Sequence, residues 1–322
     1  GATCANGSGS SWEQGAAGSC YSGITGLFSD TGSLPLHRAR LVLAGADITN
    51  VDFGFSFNVV VNTRGGDTAD DDGANPRSVQ GSLRQFLQNA NAISGANAMR
   101  FVPVEPVDVT VSVDSWWQVA VSNALPPSVD ADTDIDGTAF DLANGTSVRN
   151  TNSLGPELEL SGSTGNGLEV NAGTNEIRDL VVNGFTSGIA VLGGDGTVIA
   201  GNYLGPDATG AVGEVGNTDE GIQIYGATNT VIGGTTAADR NVISGNRLRG
   251  VLIDDWTDGA PYVSNGTQVI GNYIGTNATG SATLPFDNSP QYQQIGIYIL
   301  ESSDGVFGTA ADGNVLSGNY WF

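Results

Sequence analysis

The sequence predicts an all-β protein built as a right-handed parallel β-helix, with one α-helix on its N-terminal side and a partial, small β-sandwich-like module before that helix. The first supporting observation is a repeated phrase, since residues 201–205 read GNYLG and residues 271–275 read GNYIG. The second is a Gly-Ile or Gly-Val step that recurs along the chain. Its glycines are Gly188, Gly221, Gly250 and Gly296. Short apolar runs with glycine and asparagine between them are typical of stacked repeats.

The third observation is the shortness of the apolar runs after residue 157. Each has only two or three apolar residues before a Gly or Asn, so no run can bury its own apolar face and the runs must stack. A propeller would need longer strands and aromatic blade signatures, which the sequence lacks. We expect a corner of the coil at residues 133–137 and inward-facing side chains that include Val198, Val231, Val242 and Val315.

Asparagines at the expected corners suggest a hydrogen-bonded ladder along the stack, because buried amides can pair with the amides of neighbouring coils. We expect one such ladder, made by Asn202, Asn246, Asn272 and Asn319. Binding of a ligand by these asparagines is the less favoured interpretation.

The chain divides into three predicted regions. Residues 1–58 form the C-terminal part of a small β module, in which the alternation of residues 51–57 is typical of a strand. Residues 59–156 form a region that contains the helix, and residues 157–322 form the coils. We expect further coils beyond residue 322.

The helix is predicted at residues 83–93. Ser82 and Gln85 have the spacing of a capping box. One apolar stripe is expected along the helix, with the first four side chains buried: Leu83, Phe86, Leu87, Ala90 and Ile93. We expect this stripe to cover the exposed end of the β-stack, where unpaired strands would otherwise promote aggregation.

The net charge excludes one class of function. The chain carries 34 acidic and 11 basic residues, for a net charge of −23. No basic stripe is present, so the chain is not expected to bind nucleic acid through its phosphates. No apolar run approaches the ~20 residues that a membrane-spanning helix needs, and we expect no membrane insertion within this segment.

Two features of the first 72 residues carry site predictions. Cys4 and Cys20 are the only cysteines, and in an acidic chain rich in Gly, Thr and Asn we expect them to form a disulfide. An acidic loop follows at residues 67–73, and it is either a solvated loop or a calcium site, since Ca²⁺ prefers oxygen ligands. Its candidate ligands are Asp67, Asp70, Asp71 and Asp72. No other cofactor is required by the sequence.

Two groups of phrases resemble known extracellular proteins. Residues 60–63 and 81–91 resemble the N-terminal region of CSLREA-type proteins and other large bacterial right-handed parallel β-helix repeat proteins, and residues 241–246 and 271–275 resemble their coils. Residues 51–55 look like the last strand of an SdrD/Cna-B-like surface domain. The resemblance implies a bacterial protein that is secreted or displayed on the cell surface. It says little about activity, because this fold hosts enzymes, adhesins and passive stalks.

Catalytic candidates are weak. Asp254 and Asp255 lie beside Trp256, with Arg249 just before them. A polysaccharide lyase or glycoside hydrolase could use such carboxylates. Adjacent residues of a strand point to opposite faces, however, so the two carboxylates are not expected to act on one substrate. The alternative interpretation is a solvated loop rim.

Four aromatic residues in two predicted loop insertions are candidates for contacts with a glycan or a partner, since aromatic residues are enriched in such contacts. They are Trp256, Tyr262, Phe286 and Tyr292. The sequence therefore predicts a segment of a large secreted or cell-surface protein that works as a stalk, an adhesin or a filament subunit. Self-association or contact with a glycan or a cell surface is the expected interaction. The alternative is a polysaccharide lyase or glycoside hydrolase acting on an extracellular glycan.

Overall fold

The computed structural model describes most of the chain from residue 81 onward. The described residues are 58–61, 63, 81–104, 106–141, 147–213, 215–254, 264–285, 293–300 and 302–321, together with the backbone of residues 4–5 and 11–12. Cys20, the acidic loop, the strand predicted at residues 51–57 and the four candidate aromatic residues lie outside this set. The predictions made for them stay predictions.

The described residues of the N-terminal half form one α-helix and nine strands. In chain order they are β1 (Cys4–Ala5), β2 (Ser11–Trp12), β3 (Val59–Val60), α1 (Leu83–Ala92), β4 (Asn97–Ala98), β5 (Arg100–Phe101), β6 (Val109–Val111), β7 (Asp114–Ala120), β8 (Thr133–Asp136) and β9 (Leu158–Ser161). The prediction of a corner at residues 133–137 is wrong, because Thr133–Asp136 form strand β8. The alternation of Thr133 and Ile135, both buried, with half-buried aspartates is a strand pattern.

The C-terminal half consists of short strands with one 3-10 turn at Ala237–Asp239. The strands are β10 (Asn166–Val170), β11 (Glu176–Arg178), β12 (Leu180–Asn183), β13 (Ser187–Val191), β14 (Val198–Ala200), β15 (Tyr203–Leu204), β16 (Glu220–Tyr225), β17 (Val231–Gly233), β18 (Val242–Ile243), β19 (Arg249–Asp254), β20 (Gln268–Ile270), β21 (Tyr273–Ile274), β22 (Ile295–Leu300), β23 (Val306–Phe307) and β24 (Val315–Leu316). No helix in the described residues has the length and apolarity needed to cross a membrane.

These strands form three large sheets. The five-stranded sheet has the order β10-β13-β16-β19-β22, and the seven-stranded sheet has the order β23-β20-β17-β14-β11-β8-β4. The eight-stranded sheet has the order β24-β21-β18-β15-β12-β9-β7-β6. All neighbouring pairs in these sheets are parallel except β6 and β7. From β10 onward the chain visits the five-, seven- and eight-stranded sheets in turn, five times over. The protein is therefore mostly strands in parallel sheets, as the sequence predicts.

One apolar cluster joins side chains from all three sheets. Leu168, Ile189 and Ile222 are aligned in the five-stranded sheet. Ile177 and Ile199 are paired in the seven-stranded sheet, and all five side chains are fully or nearly fully buried. The burial of short apolar runs from successive strands is the arrangement that the sequence predicts.

Four inward assignments are wrong by one residue. Ile199, Ile232 and Ile243 belong to the apolar cluster, whereas the preceding valines, Val198, Val231 and Val242, do not. The fourth wrong assignment is Val315. The residue that pairs with Ile274 of the cluster is the next one, Leu316. Each pair has two adjacent apolar residues, and a shift of one position exchanges the two faces of a strand.

Helix α1 confirms the prediction for residues 83–93 in its position and in its buried stripe. The Ser82 hydroxyl accepts a hydrogen bond from the Gln85 backbone N–H at 3.1 Å, and the Gln85 side chain accepts one from the Gly81 N–H at 2.6 Å. Leu83, Phe86, Leu87 and Ala90 are all buried and belong to the apolar cluster. The helix ends with Ala92, so the prediction is wrong for Ile93. This residue has an extended backbone, which takes its side chain off the helical stripe and leaves it 42 % exposed.

Two amide ladders run along the stack where one was expected. The first joins Asn202 to Asn241, Asn241 to Asn272 and Asn272 to Asn314, with amide N–O distances of 3.2, 2.9 and 3.1 Å. It lies between the seven- and eight-stranded sheets. The single ladder of Asn202, Asn246, Asn272 and Asn319 is thus wrong in its membership, although all four side chains do belong to ladders.

The second ladder lies between the eight- and five-stranded sheets. Asn217 donates to Asn246 at 2.9 Å, Asn246 donates to the Gln293 carbonyl oxygen at 3.1 Å, and Gln293 donates to Asn319 at 2.8 Å. The glycines of the Gly-Ile/Val step pack against this ladder. A methyl group on Gly221, for example, would lie 2.8 Å from the Asn246 amide nitrogen and 2.6 Å from Ile243. The step thus needs glycine because the ladder occupies the space of a side chain.

Gly221→Ala is expected to lower the free energy of unfolding by about 1–3 kcal/mol, because the added methyl group must displace either the ladder or Ile243. Gly313→Ala is the matched control, since an added methyl group there meets nothing within 4 Å. Urea unfolding of both variants measures the difference. Equal stabilities of the two variants would show that the ladder does not fill this space.

Candidate functional site

The described residues include a groove of about 370 Å³ at the junction between the seven- and eight-stranded sheets. Successive strands of the seven-stranded sheet end at this groove. Thr138 follows β8, Asp179 follows β11, and Gly201 follows β14. Because these positions lie at the same end of successive parallel strands, the groove runs along the stacking direction.

Two carboxyl groups line the groove, and both sit in environments that favour the protonated form. Burial raises the pKa of the Glu157 carboxyl to about 7, although backbone N–H groups of Thr151 and Ala139 donate to it and oppose the shift. Repulsion by Asp179 adds to the effect of burial. Only 9 % of Glu157 is exposed.

Asp179 is held close to its neighbours by an unusual backbone. Its φ of 54° is in the left-handed region, which Asp tolerates better than most residues. Burial, followed by repulsion from Asp136, raises the pKa of its carboxyl to about 6, while Arg178 and the Thr138 hydroxyl oppose the shift. A methyl group on Gly201 would lie 2.5 Å from one Asp179 carboxylate oxygen, so glycine leaves room for this carboxyl group.

The other walls supply further hydrogen-bonding groups. Asn150 is exposed at the edge of the groove. Asn152 is buried and donates to the backbone carbonyls of Pro156 and Ala208 at 2.9 and 2.8 Å. The Tyr203 hydroxyl donates to the Leu154 carbonyl at 2.7 Å, and burial, with a smaller effect of Asp207, raises the pKa of this phenol to about 12. The phenol is therefore neutral at physiological pH.

Arg240 closes one side of the groove. Its guanidinium group lies 4.4 Å from the centre of the Tyr273 ring, and its Nε donates to the Gly271 carbonyl at 3.1 Å. The site thus combines two carboxyl groups, amides, a phenol and one cation. Such a set can donate and accept hydrogen bonds to a polar ligand and can exchange protons near neutral pH.

Protein stability is expected to depend on pH through Glu157 and Asp179. Their pKa values of about 7 and about 6 lie above the ordinary values of 4.5 and 3.8. The folded state then binds more protons than the unfolded state between about pH 4 and pH 7, so stability falls as the pH rises across this range. The stability that comes from keeping these two carboxyl groups protonated is fully present below pH 4 and is lost as the pH rises through 6 and 7.

The Glu157→Gln, Asp179→Asn double variant tests this dependence, because the amides imitate the protonated carboxyl groups. We expect it to match the wild type near pH 4 and to be more stable by on the order of 1–3 kcal/mol at pH 8.5, after allowance for partial exposure to solvent. Urea unfolding at both pH values is the measurement. A difference between the two proteins that does not change with pH would contradict the expectation.

The two described catalytic candidates from the sequence, Arg249 and Asp254, lie in the five-stranded sheet, on another face of the stack. Arg249 and Asp254 are the first and last residues of β19. Five residue-to-residue steps along an extended strand separate their Cα atoms by about 16 Å. Arg249 forms an ion pair with Glu220 at 2.6 Å and stacks over the Tyr298 ring at 4.9 Å. The two residues therefore do not form one catalytic pair.

Asp254 is buried, and its backbone carbonyl accepts a hydrogen bond from the Ser264 hydroxyl at 2.7 Å. Asp255, Trp256 and Tyr262 lie outside the described residues, as do Phe286 and Tyr292. Asp67, Asp70, Asp71 and Asp72 lie outside them too. Within the described part of the chain, no group of three or more His, Cys, Asp or Glu side chains is placed to hold a metal ion.

The groove was missed because its residues are scattered in the sequence. Glu157, Asp179 and Arg240 come from three separate coils, and no local motif connects them. One sequence feature could have indicated the groove. An aspartate stands at the end of two successive strands of one sheet, beside a glycine in Asp136-Gly137 and beside an arginine in Arg178-Asp179. No protein-family model, curated protein or solved structure matches this chain.

Proposed function

We propose that the three parallel sheets are the faces of one right-handed parallel β-helix and that α1 covers its N-terminal end. The support for a single coil is the repeated order of the sheets, together with the one apolar cluster that joins their side chains. The support for the right-handed sense is general, because crossover connections between parallel strands are right-handed in about 98 % of cases. The buried apolar stripe of α1 supports its covering role.

We further propose that the protein works as a rigid structural or adhesive segment of a secreted or cell-surface protein, as a stalk, an adhesin or a filament subunit. The observation that carries this proposal is the pair of amide ladders, which tie consecutive coils together on two sides of the apolar core. Each coil contacts only its neighbours, so such a stack gains about 4.8 Å of length for each added coil.

The surface charge is consistent with exposure outside the cell. A net charge of −23 keeps copies of the chain soluble and apart. In the proposal, Ca²⁺ bound by Asp67, Asp70, Asp71 and Asp72 offsets part of this charge where copies associate. The Cys4–Cys20 disulfide belongs to the same proposal, since disulfides persist in oxidising compartments.

The alternative function, a polysaccharide lyase or glycoside hydrolase acting through Asp254, has less support. Arg249 is engaged by Glu220, and it lies at the far end of the strand from Asp254. A catalytic role at this face would need groups from the segment that contains Asp255 and Trp256.

The test compares shape, association and activity in one preparation. Small-angle X-ray scattering and sedimentation of the purified chain, with Ca²⁺ and with a chelator, are expected to show an elongated particle that associates when Ca²⁺ is present. The same sample, incubated with pectin and alginate, is expected to leave both polymers intact. A monomer under both conditions that depolymerises a glycan at enzymatic turnover would overturn the structural proposal.

A further inference from the structure

The groove has the length and direction of a site for an extended polymer. Its lining residues follow four successive strands of the seven-stranded sheet, β8, β11, β14 and β17. Three steps between neighbouring strands span about 14 Å, which is the length of about three linked sugar rings. A chain-like ligand that lies along the stack would contact all four levels, whereas a compact ligand would contact one or two.

The chemistry of the walls suits uncharged hydroxyl groups. Glu157 and Asp179 offer carboxyl groups, Asn150 offers an exposed amide, and the Tyr203 ring supplies an apolar surface beside the polar groups. Small-molecule sites combine apolar and aromatic surface with a few placed polar groups in this manner. Sugars present the matching features, since they carry hydroxyl groups at the ring edge and C–H groups on the ring face.

The charges around the groove disfavour an anionic ligand. Three carboxyl groups, those of Asp136, Glu157 and Asp179, lie near one another at one end. Arg178 is held by Glu176 at 2.7 Å, and Arg240 stacks on Tyr273. Above about pH 7, where Glu157 and Asp179 are ionised, an acidic polysaccharide would therefore meet repulsion at the carboxyl end of the groove.

We propose that this groove binds a neutral oligosaccharide that lies along the stacking direction, with the Glu157 and Asp179 carboxyl groups hydrogen-bonded to its hydroxyl groups. The proposal rests on the extracellular, adhesive function proposed above and names its ligand class. It places glycan contact at the junction of two sheets and assigns it to residues other than the four aromatic residues predicted from the sequence.

Binding should depend on pH. A bound sugar displaces water from the two carboxyl groups, and loss of water favours their protonated form. The charges that face Asp179 are Asp136, Glu176 and Arg178, and Asp179 itself faces Glu157. Binding therefore takes up protons, and the affinity should fall about tenfold or more between pH 5.5 and pH 8.5.

The experiment titrates the purified chain with the neutral hexasaccharides of cellulose, xylan, mannan and chitin, and with a hexasaccharide of polygalacturonate. Calorimetry at pH 5.5 and pH 8.5 is the readout. We expect at least one neutral hexasaccharide to bind at millimolar concentration or below, with about tenfold weaker binding at pH 8.5, and no binding of the acidic one at pH 8.5, where both carboxyl groups are ionised. Failure of every neutral hexasaccharide to bind at either pH would overturn the proposal.

Two pairs of variants locate the site. Ala238 is exposed in the groove, so Ala238→Trp should block the groove and abolish binding, whereas Ala211→Trp, in an exposed loop outside it, should not. Asp179→Asn imitates the protonated carboxyl group and should reduce the pH dependence. Asp195→Asn, at a different corner where Asp195 accepts bonds from Thr228 and Asn229, should leave it unchanged.

These outcomes are distinct from those of the structural proposal. Binding that survives Ala238→Trp would place the sugar elsewhere and overturn the groove assignment, even if the chain is an elongated particle. Conversely, a compact or catalytically active protein that binds a neutral hexasaccharide in the groove would overturn the structural role and leave the site in place.

Discussion

Asn272→Ala is expected to lower the free energy of unfolding by about 3–5 kcal/mol, one of the two largest effects that we predict for a single substitution. The Asn272 side chain is fully buried. Its amide nitrogen donates to the backbone carbonyls of Ile232 and Ile270 at 2.9 and 3.0 Å, and to Asn314. Its amide oxygen accepts from the backbone and the side chain of Asn241. Alanine removes all of these side-chain bonds. The Ile270 carbonyl keeps a bond from the Gly234 N–H, but the Asn241 backbone N–H loses its acceptor, and each unsatisfied buried group costs about 1–3 kcal/mol.

The position of Asn272 in the ladder adds to this effect. It connects coils on both of its sides, and in a stack that is stable only through contacts between neighbours, loss of one interface weakens both. Asn171→Ala is the control, because Asn171 is exposed and its amide donates to the Glu169 carboxylate alone. Urea unfolding of both variants, followed by circular dichroism, gives the two free energies. A loss below 1 kcal/mol for Asn272→Ala would show that water replaces the ladder at little cost.

The ladders also show how far the sequence predicts this fold. Repeated Gly-Asn phrases predict buried amides, because glycine and asparagine recur at fixed places beside apolar runs. They do not predict which amides are neighbours. Gln293 continues the ladder of Asn217 and Asn246 although it is not an asparagine and lies in no repeated phrase. The insertions between coils vary in length, so spacing along the chain does not fix spatial order.

The register of the strands was less predictable than their existence. The stretches Val198-Ile199, Val231-Ile232 and Val242-Ile243 each contain two adjacent apolar residues. With only two or three residues in a strand, no longer alternation shows which one faces inward. The inward position is fixed by pairing with the neighbouring coil, as in the alignment of Ile199 with Ile177 and Ile232, and that is a tertiary constraint.

The groove was even less predictable from the sequence than the strand register, because only the tertiary structure brings its residues together. Asp254 and Asp255 are the catalytic candidates that the sequence suggests, because they are adjacent. The carboxyl groups that share a groove are those of Glu157 and Asp179. They are 22 positions apart in the sequence. Their proximity arises from the return of the chain to the same corner one coil later, together with the left-handed backbone of Asp179. Neither feature has a signature that a single sequence can show.

Phe86→Ala is expected to destabilise the protein by about 3–5 kcal/mol, which is the usual cost of truncating a buried phenylalanine. The Phe86 side chain is 2 % exposed and belongs to the apolar cluster that also contains Phe101 and Trp117. Those two rings pack edge to face, with their centres 5.7 Å apart. Removal of the Phe86 ring leaves a cavity in this cluster, and the first strands of the stack become exposed to solvent if α1 covers them as we propose.

Ile93→Ala provides the matched control at the end of the same helix. Ile93 is 42 % exposed, and its truncation should cost well under 1 kcal/mol because little apolar surface leaves water when the chain folds. Urea unfolding gives the stabilities, and hydrogen exchange gives the location of the change. Faster exchange in β3, β5 and β7 of Phe86→Ala, with the coils after residue 220 unaffected, is the pattern expected if α1 protects one end of the stack. A stability loss well under 1 kcal/mol for Phe86→Ala would show that the helix does not cover the core, because a buried ring cannot be removed from a covered end without opening a cavity.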